Sequence, residues 1–570
     1  MEHKPENRIC QNCKKDFIIE SEDFNFYEKI KVPPPTFCPD CRLQRRLIWM
    51  KGVELFKRKC DLCGEMKLSM YHQNAPYIVY CNKCWWSDKW DARDFAIEYD
   101  SKRNFFEQWN DLLHKTPILG LSIDKTTGEL SPYTNHVGNS KNCYLIYYSD
   151  YVEDSAFGYQ LTNAKKVYDS GSVMNCDIIY DTSNIFKSYN IIGGMSNNTT
   201  SYDCMFIRDC EGAHNCFVSA NVYNQSYFFM GDRVSKEEYE NKMKDIDFGS
   251  YKQYEFWKNK ANNYFKTIIP RPRWETLSVN STGSYVFQSK NCKECYDVTE
   301  CENSKFLMLI KIGKVKDSYD YVDWGENVQL VYEGITIGNG ASNVKFTHES
   351  GHNISNIEYS KLSTGGSNHF GCVSIKKTEY CILNKQYSKE EYIKLREKII
   401  EDMNENPYIN SRGHIYKYGE FFPPEFSPHF YNDSFASKFF PLSEKEVIDF
   451  KLKWYKPEEK EYAITIKFKD LPDHIKDAPN NIVEEVIGCS ICKRGFRIIN
   501  QELQFLRQYK LPLPRQCPFC RIGIKIDKWV SNMKQVDRIC DKCGIDFKTH
   551  YTKEEALKIF CKDCYKKEVY

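Results

Sequence analysis

The sequence lacks the long apolar stretch that a membrane-spanning helix requires. No run approaches the ~18 to 20 consecutive apolar residues needed to cross a bilayer, and the mean hydropathy is −0.62. The segment MEHKPENRIC at the N-terminus contains no apolar run that would serve as a secretory signal. We therefore expect no membrane role and a cytoplasmic location.

A strong net charge is also lacking. Lys and Arg total 80 and Asp and Glu total 78, which gives a formal net charge of +2 over 570 residues. A general nucleic-acid binder is usually strongly basic. Any binding to RNA or DNA must therefore come from local clusters of basic residues.

Catalytic motifs are sparse. No GxGxxG, P-loop or GxSxG lies between a predicted strand and a predicted helix, and we interpret Asp317, Asp320 and Asp323 as solvated turn residues. The segment from His348 to His352 spells HExxH, which on a helix would bind zinc. Its neighbourhood, NVKFTHESGHNISNIEYS, instead favours strand and turn, where residues four apart are separated by about 13 Å. A polar corner is the preferred interpretation, and a zinc hydrolase at HESGH is a minor alternative.

Cysteine, in contrast, is abundant, and sixteen of the 26 cysteines form two matching sets near the two ends. Each set has four CxxC pairs, and the gap from Cys13 to Cys38 has the same length as the gap from Cys492 to Cys517. Four thiolates at such spacing can close a tetrahedral Zn²⁺ shell, so we predict four structural zinc sites. The predicted ligands are Cys10, Cys13, Cys38, Cys41, Cys60, Cys63, Cys81, Cys84, Cys489, Cys492, Cys517, Cys520, Cys540, Cys543, Cys561 and Cys564.

The two sets belong to a duplicated fold. Cys10 and Cys489 lie 479 positions apart, and other residues besides cysteine match at this offset. Phe17 corresponds to Phe496, and Arg42 corresponds to Arg521. The segment CPDC leads into RLQRRLIWM, whose apolar residues recur at near-helical spacing. A zinc-ligand pair at a helix start indicates a treble clef, with a zinc ribbon as the alternative. Only six residues follow Cys564, so we expect the last module to be ribbon-like without a closing helix.

These segments resemble a known group, the uncharacterised proteins of uncultivated bacteria that carry "probable zinc-ribbon" modules. The resemblance rests on RICQNCKKDF with VPPPTFCPDCR, on KCDLCG with VYCNKCWWSDKWD, and on QELQFLRQYKLPLPRQCPFCR with the final CxxCY. It covers both ends specifically and the middle loosely. The resemblance implies zinc binding and no established activity.

The middle of the sequence repeats short strand-like phrases about every 12 residues, separated by Asn, Asp, Ser or Gly. SKNCYLIYY and HNCFVSANV are examples from its first half, and SNVKFTHES and FGCVSIKKT come from its second half. Such repeats are typical of a stacked β-solenoid, because no single phrase can bury its apolar face alone. One interrupted solenoid and two separate solenoids both fit this pattern.

Ten further cysteines occupy equivalent positions in these phrases. We interpret them as an inward-facing ladder of small apolar side chains, with a fifth metal or redox site at Cys292, Cys295 and Cys301 as the alternative. The ten are Cys143, Cys176, Cys204, Cys210, Cys216, Cys292, Cys295, Cys301, Cys372 and Cys381.

The predicted fold is therefore mainly β, with a duplicated β-solenoid-like centre flanked at both ends by paired small four-cysteine zinc modules and with short capping helices. Ser235, Ser388 and Ser443 are predicted helix N-caps, each followed by Glu three residues later. The predicted divisions are 1–57 and 58–117 for two zinc modules, 131–234 for the first solenoid segment, 235–275 for a helical insert, 278–387 for the second solenoid segment, 388–481 for a helix with an irregular strap, and 482–535 and 536–570 for two more zinc modules.

Basic residues cluster beside the first and third zinc sites, where Trp49 and Trp529 would stack on unpaired bases. The predicted nucleic-acid contacts are Arg42, Arg45, Arg46, Arg494, Arg497, Arg515, Arg521, Lys525 and Lys528.

The leading functional expectation is a non-enzymatic scaffold that grips RNA, DNA or a ribonucleoprotein through its zinc modules. The alternative is a protein-interaction or self-assembling structural protein whose zinc modules cap the solenoid. The basic clusters distinguish the two, because a shared exposed face favours nucleic acid, whereas burial against the solenoid favours capping.

Overall fold

The computed structural model describes residues 3–124, 131, 133–174, 177–194, 198–457 and 463–569, and this part of the chain is mainly β. None of its helices has the length and apolar character needed to span a bilayer. The helices are Ser21–Ile30, Pro39–Leu47, Asn82–Trp85, Phe105–Lys115, Lys236–Lys244, Tyr251–Thr267, Lys389–Glu405, Ala436–Phe439, Glu444–Asp449, Asn500–Gln508, Pro518–Met533 and Lys562–Val569.

The chain divides into two compact units, and each combines segments that are distant in sequence. The first unit contains Met1–Lys125 and Glu275–Lys456, and the second contains Thr126–Trp274 and Pro457–Tyr570. Each unit therefore holds the cysteine modules from one end of the chain together with one stack of strands from the middle.

The second unit contains the first strand stack, residues 135–233. Its strands pair in parallel. A residue in one strand is paired with the residue one repeat later in the sequence, as Tyr202 is with His214 and Tyr189 is with Tyr202. A short antiparallel pair ends the stack. The strands are Asn135–Gly138, Tyr144–Glu153, Ala156–Tyr168, Gly171–Met174, Asp177–Tyr180, Ser183–Phe186, Tyr189–Ile192, Asn198–Thr199, Tyr202–Arg208, His214–Ala220, Ser226–Phe229 and Asp232–Arg233.

The first unit contains the second strand stack, residues 275–386, in which most paired strands are again parallel. Four of its strands, Cys301–Lys305, Val315–Lys316, Val328–Gly338 and Tyr319–Gly325, pair in a small closed ring. The other strands are Glu275–Thr276, Gly283–Phe287, Lys290–Lys293, Cys295–Thr299, Met308–Ile310, Ala341–Glu358, Thr364–Phe370, Lys376–Ile382 and Lys385–Gln386.

The backbone of both stacks turns at very short intervals. From Asn139 to Ser172, every third residue has φ near +50°, in the left-handed region. Asn and Asp are frequent at these positions, as expected from their tolerance of that conformation. The residues that directly follow these turns include the buried Ser140, Cys143 and Ile146.

The inward cysteine ladder predicted from the phrases is confirmed for the nine described members. Each is at most 3% exposed, and the Sγ of Cys143 donates to the backbone carbonyls of Lys141 and Val152 at 3.4 and 3.3 Å. Cys176 lies outside the described residues. These side chains therefore fill space and satisfy nearby carbonyl groups.

The four cysteine modules are each built from a two-stranded hairpin and a helix. The prediction of no closing helix in the last module is wrong, because Lys562–Val569 is helical and begins directly after the ligand Cys561. The hairpins and the remaining short strands are Glu6–Ile9, Asp16–Ile19, Phe56–Lys59, Met66–Ser69, Val79–Tyr80, Ile118–Leu119, Tyr408–Ile409, Ile415–Tyr416, Ile466–Lys467, Ile487–Gly488, Gly495–Phe496, Val536–Ile539 and Asp546–Thr549.

The predicted helix caps are confirmed at three serines. The side chains of Ser235, Ser388 and Ser443 each accept a hydrogen bond from the backbone N–H three residues later, with full capping boxes at Ser388 and Ser443. The strap, residues 406–441, contains mainly short turns and belongs to the first unit. It places Glu420 beside the first cysteine module.

Candidate metal centres and their anchors

The sixteen predicted ligands come together as four groups of four, and within each group all the sulfur atoms lie within 4.8 Å of one another. The Sγ atoms of Cys13 and Cys38 are 3.7 Å apart, and those of Cys492 and Cys517 are 3.6 Å apart. Four sulfurs at ~2.3 Å from a tetrahedral Zn²⁺ would be separated by about 3.8 Å. A disulfide requires about 2.05 Å. The geometry therefore fits a metal ion in all four groups, and zinc remains the predicted metal.

Each group is positioned by the same local structure. The first CxxC forms the hairpin turn, and the second CxxC lies at a helix start, where free backbone N–H groups favour negative charge. The N–H of Cys38 donates to Cys10 Sγ, and that of Cys517 donates to Cys489 Sγ, both at 3.2 Å.

The same donors act on the protonation of the sulfurs. Burial opposes ionisation of Cys60, but the backbone N–H groups of Cys63 and Cys81 lower its pKa to about 7. In the fourth group, the corresponding donors lower the pKa of Cys540 to about 6 against an opposing effect of burial. Both sulfurs are therefore disposed to be thiolates, which is the form that binds metal.

Comparison with models of known protein families yields no match, and neither does comparison with curated proteins. The resemblance to bacterial "probable zinc-ribbon" proteins therefore stays a prediction, and the geometry alone carries the functional argument.

The helix Pro39–Leu47 presents three arginines to the second strand stack and to the strap. Arg42 Nε donates to Asp320 Oδ2 at 3.0 Å, and Arg46 binds Asp320 Oδ1 at 2.9 Å and Glu333 Oε2 at 2.7 Å. Arg45 binds Glu333 Oε1 at 2.7 Å and Glu420 Oε2 at 2.8 Å. We call these six residues the first anchor.

The first anchor is buried, since its arginines are at most 4% exposed. Burial alone would raise the pKa of Asp320, but the charges of Arg42 and Arg46 hold it below its usual range. The carboxylate of Asp320 therefore stays ionised beside the two guanidinium groups. Arg45 and Arg46 each join two different carboxylates, and such charge-assisted hydrogen bonds are stronger than neutral ones.

The second unit has a corresponding anchor on the helix Pro518–Met533. Arg521, the counterpart of Arg42, donates to Asp169 at 2.5 Å and to Glu502 at 2.8 Å. Lys525 pairs with Asp181, which also accepts from Lys258 at 2.5 Å. We call these six residues the second anchor. In both units, a helix that begins with two predicted metal ligands is thus bound to a strand stack through ion pairs.

Five of the nine predicted nucleic-acid contacts do not lie on an exposed face. Arg42, Arg45, Arg46, Arg515 and Arg521 are all buried. The expected base-stacking residues Trp49 and Trp529 are also buried, at 0% and 4% exposure.

The other four predicted contacts are more accessible. Lys525 is paired within the second anchor, Lys528 lies 3.3 Å from Glu555, and Arg494 is half-buried. Arg497 is exposed. Of these four residues, Lys525 binds an acid of the strand stack. Binding of the predicted contacts to nucleic acid stays an untested prediction.

The acidic partners of the anchors were not identified from the sequence. Asp320 was interpreted as a solvated turn residue and is fully buried. Two signals were present, because Arg42, Arg45 and Arg46 lie on one helix face at i, i+3 and i+4, and Asp320 and Glu333 are one strand repeat apart. Neither signal shows by itself that the helix meets that part of the stack.

The HExxH motif lies in the strand Ala341–Glu358, as predicted. His348 is 1% exposed and its Nδ1 lies 3.1 Å from Lys361 Nζ, whereas His352 is exposed. Lys361 also pairs with Glu349 in the interior. The two imidazoles therefore do not share a site, which disfavours the zinc hydrolase.

The alternative fifth metal site also finds no support among the described residues, where the four groups of four cysteines are the metal-binding clusters found. Cys292, Cys295 and Cys301 each donate to a separate backbone carbonyl, at 3.3 to 3.5 Å. They belong to the inward ladder.

Proposed function

We propose that the protein is a non-enzymatic binding scaffold made of two β-solenoids, each held in place by a pair of structural zinc modules. The observation that carries this proposal is the pair of anchors, in which basic residues of the modules form ion pairs with carboxylates inside the protein. This favours the protein-interaction or self-assembling alternative over a grip on RNA or DNA.

The solenoid interpretation rests on register and backbone turns. Parallel partners in neighbouring strands are mostly one repeat apart in sequence, as in Tyr144 with Ala156 and Gln329 with Ser342. A left-handed residue at every third position gives about four corners in each repeat. Repeats of this kind contact mainly their neighbours, and their stacked sides form extended surfaces suited to binding.

A structural role for the metal follows from the ligand sets. Four cysteines close a tetrahedral shell and leave no open position for a substrate or a reactive water, unlike catalytic zinc sites. None of the 25 described cysteines forms a disulfide, which supports the reducing cytoplasm as the location.

The proposal is tested by metal analysis combined with hydrogen exchange of the full chain. We expect four zinc ions per chain, and we expect chelation to increase amide exchange in both strand stacks. Complete removal of zinc without any change in exchange within residues 135–233 and 275–386 would contradict a structural role.

Nucleic acid is tested separately, by binding of labelled single- and double-stranded RNA and DNA at low salt. We expect no binding that depends on Arg497, the exposed member of the predicted contacts. Salt-dependent binding that Arg497→Glu weakens would restore the nucleic-acid alternative.

A further inference from the structure

The second unit contains a cavity of about 350 Å³ between the first strand stack, the helix Tyr251–Thr267 and the third cysteine module. Its aromatic walls include Tyr180, Phe206, Tyr251 and Tyr254. Lys258, whose side chain is 38% exposed, also lines the cavity. The volume is within the usual range for small-molecule sites.

The charged side chains that line this cavity are mostly cationic. Lys258, Arg515, Arg521, Lys525 and Lys528 face it, together with the acids Asp169, Asp181 and Glu255. Asp169 is bound by Arg521, and Asp181 is bound by Lys258 and Lys525.

Two of these cations have buried N–H donors without a hydrogen-bond acceptor among the described residues. Arg515 is 6% exposed and Arg521 is 8% exposed. Arg515 Nη1 and both Nε and Nη2 of Arg521 have no hydrogen-bond partner among the described residues. The Nη2 of Arg515 is occupied, since it donates to the backbone carbonyls of Leu471 and Pro472. Buried donors on charged groups are costly when unpaired.

The first unit shows which group occupies the place that corresponds to Arg515. Arg515 corresponds to Thr36 at the offset of 479. There, Glu420 of the strap accepts from the backbone N–H of Thr36 at 2.9 Å and from Arg45 at 2.8 Å. The strap belongs to the first unit. In the second unit, the equivalent position carries a buried arginine beside a cavity, and among the described residues no carboxylate accepts a hydrogen bond from it.

We propose that this cavity binds a small organic acid, with its carboxylate on Arg515 and its apolar or aromatic body against the tyrosines. Arg515 Nη1 is left to donate a charge-assisted hydrogen bond to one carboxylate oxygen, and Glu420, which accepts from Arg45, is the internal example of a carboxylate bound by an arginine. This inference goes beyond the scaffold role, and its failure would leave that role intact.

The test is calorimetry on the zinc-loaded full chain, with phenylacetate as the probe. The comparison ligands are its neutral amide, inorganic phosphate, and a peptide copied from the strap, residues 416–424. We expect phenylacetate to bind and the amide to bind at least about tenfold more weakly, because the charged contact is lost. Binding of the peptide or phosphate without binding of phenylacetate would overturn the proposal.

The matched variants are Arg515→Gln and Arg497→Gln, two arginines of the same module, one buried at the cavity and one exposed. We expect Arg515→Gln to weaken phenylacetate binding by at least about tenfold, and Arg497→Gln to leave it unchanged. Equal affinity in all three proteins would contradict the assignment.

Zinc content and circular dichroism would reveal whether Arg515→Gln fails to fold. A second variant tests the proposal in that case. Ser183→Phe adds a ring at a half-buried position on the cavity wall. We expect it to block binding while zinc content stays at four. Undiminished binding in this variant would also overturn the proposal.

Discussion

Serine and cysteine side chains at the inward positions of the strand stacks share one pattern of hydrogen bonding. Ser149 Oγ donates to the carbonyl of Tyr147 at 2.8 Å and accepts from the N–H of Leu161, twelve residues later, at 3.0 Å. The hydroxyl therefore joins adjacent repeats as well as filling the interior. Cys301 donates in the same way to the carbonyl two residues earlier, so a thiol can replace a hydroxyl there.

This equivalence predicts opposite results for two cysteine substitutions. Cys301→Ser should keep four metal ions per chain, because serine occupies the same kind of position elsewhere in the stack. Cys38→Ser should lose one metal ion, because a closed shell of four thiolates is broken. Elemental analysis of both variants decides the matter, and loss of metal in Cys301→Ser would revive the fifth site.

His369 carries a second prediction at this scale. It is fully buried, its Nε2 donates to the carbonyl of Thr378 at 2.9 Å, and burial lowers its pKa to about 4. The folded state therefore holds the neutral ring, while the unfolded state binds a proton below about pH 6.5. The contribution of His369 to the free energy of unfolding is therefore fully present above about pH 6.5. It falls by roughly 3 kcal/mol as the pH is lowered from 6.5 to about 4.

His369→Asn is the matched variant, because the buried Asn198 makes the same kind of bond to a carbonyl nine residues later. The difference in free energy of unfolding between the two proteins is measured at pH 7 and again at pH 4. The change in this difference reports the titration of His369 alone, because any acid release of metal is common to both proteins. An unchanged difference across that range would show that His369 is not held neutral.

Among the elements, the helices that follow the second CxxC of the first and third modules link the metal centres to the strand stacks. The sequence was sufficient to predict the ligands and the helix after CPDC, because both follow from spacing over a short stretch of chain. It was not sufficient to predict the carboxylates, since Asp320 lies 278 residues from Arg42. No local pattern specifies such a contact.

The anchor predicts unequal costs for two acidic residues of the second stack. Glu333→Gln leaves Arg45 and Arg46 buried with reduced compensation, so we expect the first unit to lose about 3 to 5 kcal/mol of unfolding free energy. Asp317→Asn should cost at most about 1 kcal/mol, because its pair with Lys29 is exposed.

Urea unfolding of the zinc-loaded proteins measures both costs. A similar small cost for the two variants would mean that the buried network does not hold the module in place. A large cost for Glu333→Gln with unchanged zinc content would separate the anchor from the metal shell itself.

For the whole molecule, the decisive feature is which cysteine modules share a unit with which stack. Neighbours in sequence are usually neighbours in space, and by that rule the N-terminal modules would join the first stack, which follows them in the chain. They share a unit with the second stack instead. The duplication was evident from the sequence, but the two copies have similar features, so the sequence did not distinguish this pairing from the adjacent one.

Truncation after Lys456 tests this pairing, because it removes the third and fourth cysteine modules and leaves every segment of the first unit. We expect faster amide hydrogen exchange in residues 135–229, which lose Arg521 and Lys525 as partners of Asp169 and Asp181. Protection in residues 283–382 should remain, although these residues are closer in sequence to the deleted segment. The reverse pattern would contradict the division into units, because solenoid repeats lose stability mainly where a direct neighbour is removed.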